Sequence, residues 1–233
     1  MDGKQTIRKR TWDRLEAEGI ARFPFPPHGR ITNFEGAKAA AERAVSLPEL
    51  TEADAVKANP DAPQLPLRRL LLRGGTTVYM AVPRLQQRAC FVELDPSTLS
   101  DTDAAATVSK MSGYGTARRP EELPGIDAIV AGSVAVTEDG VRIGKGEGYS
   151  DLEYGLLREF GHVDEDTPVV TTVHDVQVIA EDVSAARYDV PMDAVCTPTR
   201  TIRTGVGEKP DGVYPEALTD KQRTEIPALD AVL

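Results

Sequence analysis

The chain has 233 residues, 40% of them hydrophobic and 27% charged, with 37 acidic against 27 basic side chains and a net charge of −10. That length and composition support one large domain or two small ones around a real core, and exclude a disordered or fibrous chain. The acidic balance argues against nucleic acid as the main partner, because phosphate binding needs a basic footprint. No run of ~18 apolar residues is present to span a membrane. The N-terminus lacks the apolar segment of a secretory leader, and two cysteines, Cys90 and Cys196, are too few for a disulfide framework. The expectation is a cytoplasmic protein, a monomer or homodimer. With eight lysines among 27 basic side chains, the acidic composition suits a salty cytosol, where screening suppresses repulsion between carboxylates.

Residues 4–18 read as a helix, with Ile7, Trp12 and Leu15 on its apolar side and Gly19 as its stop. Phe23, Pro24, Phe25 and Pro26 mark an ordered loop. Residues 35–50 form a second helix ended by Pro48. Residues 55–66 are a short strand and a proline-punctuated loop, and residues 67–75 a short helix with Gly74 past its end. Residues 76–83 read as a strand closed by Pro83, and residues 101–111 as a helix. The most apolar run, GIDAIVAGSVAV at 125–136, shows no alternation, which predicts a strand buried on both faces as in a parallel sheet. Residues 141–150 are a strand running into a glycine-rich loop, and residues 151–161 a helix stopped by Gly161. A buried strand follows at 167–179 and a strand pair at 192–202. Helices and strands alternate, so the fold class is α/β with a mostly parallel sheet. This domain covers residues 1–204; residues 205–233, with little periodicity, read as a tail on the surface or disordered.

The chemistry concentrates at RIGKGEGYSDLE, residues 142–153. Gly144, Gly146 and Gly148 let backbone N–H groups turn toward a ligand without a Cβ in the way. Ser150 and Glu153 have capping-box spacing, so the next helix would direct its orphan N–H groups and positive dipole end at the loop. That is an anion site suited to phosphate, with Lys145 adding a point charge. Glu147 is compatible with it if it faces away or meets a magnesium ion. Asp151 in the first turn suits either the helix dipole or Mg²⁺. The spacing matches neither common nucleotide signature, and it also suits a tight strand-to-helix turn.

These residues resemble the 5-formyltetrahydrofolate cyclo-ligase family, in particular its methenyltetrahydrofolate synthetase domain-containing branch. The likeness rests on GSVAVTEDGVRIGKGEGYSD at 132–151, on Lys4, Ile7 and Arg8 of the first helix, and on DVPMDAVCT at 189–197. ARFP, GRITNFEGA, VKANPDAPQLP, VYMAVPRL and VVTTVHDVQV extend it over about residues 4–203. Where the family often has G-Y-Y-D-R, this chain has Ser150 for the second tyrosine and Leu152 for the arginine. The resemblance implies a three-layer fold like that of the NagB/RpiA/CoA-transferase group, with MgATP and 5-formyltetrahydrofolate as substrates. In the family reaction ATP phosphorylates the formyl oxygen, N10 attacks the activated carbon, and phosphate leaves as 5,10-methenyltetrahydrofolate forms. By the same resemblance, Gly144, Gly146, Glu147, Gly148 and Tyr149 would hold the ATP phosphates, with Lys4 and Arg8 reaching the nucleotide. Arg142 and Lys145 would neutralise transferring charge, and Asp151 would be the metal-linked acid.

Other residues carry two readings each. His174, beside Asp175 at a strand end, suits a pterin or phosphate contact, and equally a ring bonded to the backbone. Arg30, near His28 and Asn33, suits the glutamate tail of a folate or a packing loop. Tyr79 and Met80 border the folate in the family, and equally suit plain core. Cys196 reads as a small buried hydrophobe. No spacing suggests a nucleophilic triad. Two rival functions remain at this stage: a nucleotide- or phosphometabolite-binding module on the same scaffold, and an isomerase or transferase of sugar phosphates or CoA.

Overall fold

A computed structural model describes residues 3–205 and 207–233. Helix α1 (Gly3–Ala17) buries Ile7, Thr11, Trp12 and Leu15, and Trp12 Nε1 donates to the Arg30 carbonyl at 3.0 Å. The two-residue strands β1 (Ala21–Arg22) and β2 (Asn33–Phe34) pair antiparallel around the proline-rich loop. Then come α2 (Ala37–Val45), α3 (Pro48–Thr51), β3 (Ala55–Ala58), α4 (Leu65–Gly74), β4 (Thr77–Ala81) and β5 (Phe91–Leu94). They are followed by α5 (Thr102–Ala105), α6 (Met111–Tyr114), β6 (Thr116–Arg118), β7 (Ala128–Ala131), β8 (Ala135–Thr137) and β9 (Arg142–Ile143). The chain closes with α7 (Tyr149–Glu159), β10 (Val169–Thr172), β11 (Val178–Ile179), β12 (Ala194–Cys196), β13 (Thr201–Arg203) and α8 (Asp220–Glu225).

Eight strands form one sheet in the order β13-β12-β10-β7-β3-β4-β5-β6. Its central five, β12, β10, β7, β3 and β4, are parallel, and β5, β6 and β13 add antiparallel edges. Strands β3, β7 and β10 are buried throughout, as expected of parallel strands covered on both faces. The architecture is the three-layer α/β arrangement expected from the sequence. From β3 the chain crosses over to β4 on one side; from β7 it crosses to β10 on the other. The β3–β7 boundary is therefore a topological switch point, where the carboxyl ends of the strands leave a crevice.

Six expectations need correction. The helix at 35–50 is two, α2 and α3, and Pro48 opens the second rather than ending the first, as a residue without an N–H can at a helix start. The strand at 167–179 is two, β10 in the large sheet and β11 in the small one. The apolar run at 125–136 is two strands: β7 stops at Ala131, and β8 joins a small second sheet with β9 and β11. The break falls at Gly132, where a Cβ would lie 3.0 Å from the Asp61 carboxylate and from Ile31. The helix at 101–111 is two short ones, α5 and α6, with the Asp101 side chain capping the first. Helix α4 includes Gly74 and is capped by Gly75 at φ 96°, whose N–H returns to Leu71 and Leu72.

The last correction concerns the tail. Rather than lying loose, the Lys209 ammonium is buried and donates to the Glu165 and Thr167 carbonyls, both at 2.9 Å, with Asp193 also at 2.9 Å. Farther on, Ile226, Ala228 and Leu229 enter the main core. Three well-placed apolar side chains and one satisfied cation tie down a segment too short to show periodicity. No helix among the described residues is long and apolar enough to cross a membrane, and Cys90 and Cys196 are both buried.

Candidate active site

A cavity of about 790 Å³ opens at the switch point, lined by Asn59, Pro60 and Asp61 beyond β3 and by Gly132 beyond β7. Every residue from Gly144 to Glu153 borders it. Gly146 has φ 102° and Gly148 φ 72°, a left-handed conformation that a side chain would strain. Among the described residues, no N–H group from Gly144 to Asp151 donates to a protein acceptor; the first to do so is Leu152, to Gly148. Eight donors of one loop and helix start are thus left for a ligand or solvent.

Gly148, not Ser150, caps α7, and no side chain contributes to the cap. Glu153 turns inward instead and pairs with Lys57 of β3, whose ammonium also donates to Asn59 Oδ1 at 2.9 Å. The capping-box spacing is overridden because a lysine buried in a parallel strand needs a counter-ion.

Arg142 lies beneath the loop with its side chain 5% exposed. Its Nη1 donates to the Gly132 carbonyl at 3.0 Å and its Nη2 to Asp151 Oδ2 at 2.5 Å. Its buried Nε has no partner among the described residues. Burial opposes its charge, but Asp151, helped by Asp189 and Glu153, holds the guanidinium protonated above its ordinary range. A Cβ at Gly144 would come within 2.8 Å of Arg142 Nη1, so glycine is required for this approach. The other oxygen of Asp151 accepts the Val190 N–H at 3.1 Å. From α1, Arg8 Nε donates to the Gly144 carbonyl at 2.7 Å and Lys4 pairs with Asp189 at 2.5 Å. Lys145 and Glu147 pair within the loop at 2.7 Å, so the loop acid is met by the loop base.

Lys4, Arg8, Arg142, Lys145, Asp151 and the loop residues Gly144, Gly146, Glu147, Gly148 and Tyr149 thus share one cavity. Arg30, Tyr79, Met80 and His174 do not line it. Arg30 Nε returns to the Pro26 carbonyl at 3.1 Å. Tyr79 and Met80 are core; burial, with Glu93 beside it, pushes the Tyr79 phenol up to about 12. His174 packs edge-on against Phe34 and accepts the Val176 N–H, and burial holds its pKa below the ordinary value.

Sequence reasoning missed Asn59, Asp61, Arg84, Tyr188 and the stretch from Gly212 to Gln222 that borders the cavity. The signal for the first two was available, since Asn59-Pro60-Asp61 follows a buried strand at its carboxyl end. Burial raises the Asp61 pKa above the ordinary carboxylate value, against the pull of Lys145. No cluster of three or more His, Cys, Asp or Glu among the described residues forms a metal cage. Asp151 and Glu147 are carboxylates on the cavity wall, but each is already engaged, by Arg142 and Val190 and by Lys145, so a magnesium ion held here would take most of its ligands from phosphate and water.

Comparison with known proteins identifies the family. The family model of the 5-formyltetrahydrofolate cyclo-ligase family matches residues 1–198, and the chain belongs to that family. It is 40% identical over 231 residues to a mouse methenyltetrahydrofolate synthase domain-containing protein, covering 97% of this chain and 62% of that protein. A cattle protein of the same name is 40% identical over 233 residues, covering 97% and 60%. The chain therefore spans about six-tenths of the length of these relatives. The solved 5,10-methenyltetrahydrofolate synthetase of Aquifex aeolicus shares the fold, with a TM-score of 0.54 and 18% identity over 88% of this chain and 95% of that one.

Proposed function

We propose that the chain is an ATP-dependent 5-formyltetrahydrofolate cyclo-ligase that forms 5,10-methenyltetrahydrofolate. The observation that carries the reading is the set of N–H donors from Gly144 to Asp151, left without protein acceptors on the wall of a cavity of about 790 Å³. Ile31, Pro60, Val82 and Pro83 also line this cavity, and in this reading they offer apolar surface to the flat face of a pterin.

Phosphoryl transfer asks a protein mainly to position and to neutralise charge. In this reading the loop N–H groups hold the β- and γ-phosphates, and Lys145 and Arg8 balance their charge. Arg142, fixed by Asp151 and Gly132, keeps a permanent positive charge beneath the transferring group. The γ-phosphoryl group passes to the formyl oxygen and leaves ADP; N10 then attacks the activated carbon, loses its proton, and phosphate departs. When bound, Mg²⁺ would neutralise phosphate charge, with Asp151 and Glu147 the loop carboxylates to hold it by exchanging part of their present pairing.

The test is to mix the full chain with MgATP and 5-formyltetrahydrofolate in high salt and follow the ultraviolet band of the methenyl product. Product formed in step with ADP supports the reading. Tight ATP binding without product would replace it with a nucleotide-binding module on the same fold.

A further inference from the structure

We propose that Tyr188 and Tyr214 form a stacking platform at the cleft rim for the purine ring of the bound nucleotide. The inference rests on the reading of the glycine loop as the phosphate site. It concerns a part of the cleft that the family match does not fully reach: Tyr214 lies beyond residue 198, where that match ends.

Both tyrosines line the cavity. Their ring centroids are 6.4 Å apart and the planes are inclined at 56°, so the pair forms a wedge rather than a closed stack. Tyr214 is held rigidly. Its hydroxyl donates to Asp211 Oδ1 at 2.6 Å, and the Arg187 guanidinium lies 4.6 Å from its ring centroid while pairing with Glu216. Tyr188 is 41% exposed, and of the large hydrophobic side chains so open to solvent among the described residues it is the one that borders the cavity. An aromatic face left uncovered at the edge of a charged cleft is a ready surface for a flat conjugated ring.

Position favours the nucleotide over the pterin. Tyr188 is followed by Asp189, which binds Lys4 beside the phosphate loop. Tyr214 follows Gly212 and Val213, which run against α7: a Cβ on Gly155 would come within 2.8 Å of the Gly212 carbonyl, and the Val213 N–H bonds Glu159 at 2.9 Å. The helix whose N-terminus holds the phosphates thus also fixes the strand of chain that presents Tyr214. The pterin is left the apolar lining of Ile31, Pro60, Val82 and Pro83, with Asn59 and Asp61 among the polar residues of the same cavity.

The experiment measures binding of MgATP, tripolyphosphate and 5-formyltetrahydrofolate to the full chain by calorimetry, for wild type, Tyr188→Ala and Tyr188→Phe. Because Tyr188 is exposed, truncating it should leave the fold intact, which circular dichroism verifies. The expected result is an ATP affinity lowered about tenfold or more by Tyr188→Ala and retained by Tyr188→Phe, with tripolyphosphate unchanged. An ATP affinity untouched by Tyr188→Ala overturns the proposal, as does an equal loss for tripolyphosphate. A loss confined to 5-formyltetrahydrofolate overturns it by giving the platform to the pterin. If the wild-type chain binds tripolyphosphate but shows no added affinity for ATP, the platform fails while the loop reading stands. If it binds neither, the loop reading itself falls and takes the platform with it.

Discussion

The glycine loop at 144–148 and the closing segment at 207–233 both border one cleft, yet they are built by opposite means. The loop carries its geometry in its own residues: left-handed glycines, a helix start behind it, and an arginine two residues before the first glycine. The closing segment has no such local code. It is held by contacts made far away in sequence: Lys209 on Glu165, Thr167 and Asp193, Leu229 in the main core, and Gln222 Nε2 on the Glu147 carbonyl at 3.1 Å. Chemistry can thus be written locally, whereas the wall that shapes its cavity depends on the finished fold.

The largest expected effect breaks the wall. Leu229→Ala should lower stability by about 2–5 kcal/mol, because a buried leucine leaves a cavity behind. Urea unfolding checks this, and a change under ~1 kcal/mol would mean that the segment is only loosely attached. Next comes the loop: Asp151→Ala leaves the buried Arg142 guanidinium without its partner, so it should cost about 3–5 kcal/mol of stability and lower the kcat of the folded fraction by ~10²-fold or more. Lys145→Ala should act in the same direction. Normal turnover by both variants would remove charge neutralisation from the mechanism. Gln222→Ala joins the two regions. Loss of one hydrogen bond to the loop should raise the KM for MgATP several-fold, about 1 kcal/mol, with kcat nearly unchanged.

The smallest effect is on pH dependence. Burial lowers the His174 pKa in the folded chain below 6.5, so the unfolded chain binds the proton more readily. The stability tied to neutral His174 is complete above pH ~6.5 and is lost as pH falls through the window below it. His174→Gln should flatten the fall in urea midpoint between pH 7 and pH 5. An unchanged slope would show that this ring, outside the cleft, has no part in the acid response.

How much was legible follows the same division. The alternating glycines, Lys145, Arg142 and Asp151 were readable because strand, loop and helix lie next to one another in the chain. Glu153 was misread as a capping residue, since nothing near it in sequence announces that Lys57, 96 residues away, is buried and needs its charge. Tyr79 and Met80 lie in a strand beside the cleft, but their side chains point to opposite faces of a sheet covered on both, so both are core. The composition of residues 205–233 suggested a loose tail, because a few buried anchors leave no periodic trace.

The sequence by itself determined the α/β class, the family and the glycine-rich strand–loop–helix, because these depend on apolar patterning and on backbone freedom within short windows. The tertiary structure alone decided which carboxylate meets which buried cation, how Asn59 and Asp61 come to share a cavity with Gly132, and that the last residues close one side of it. Those outcomes depend on crossovers and desolvation, which bring together side chains whose separation along the chain carries no mark of their contact.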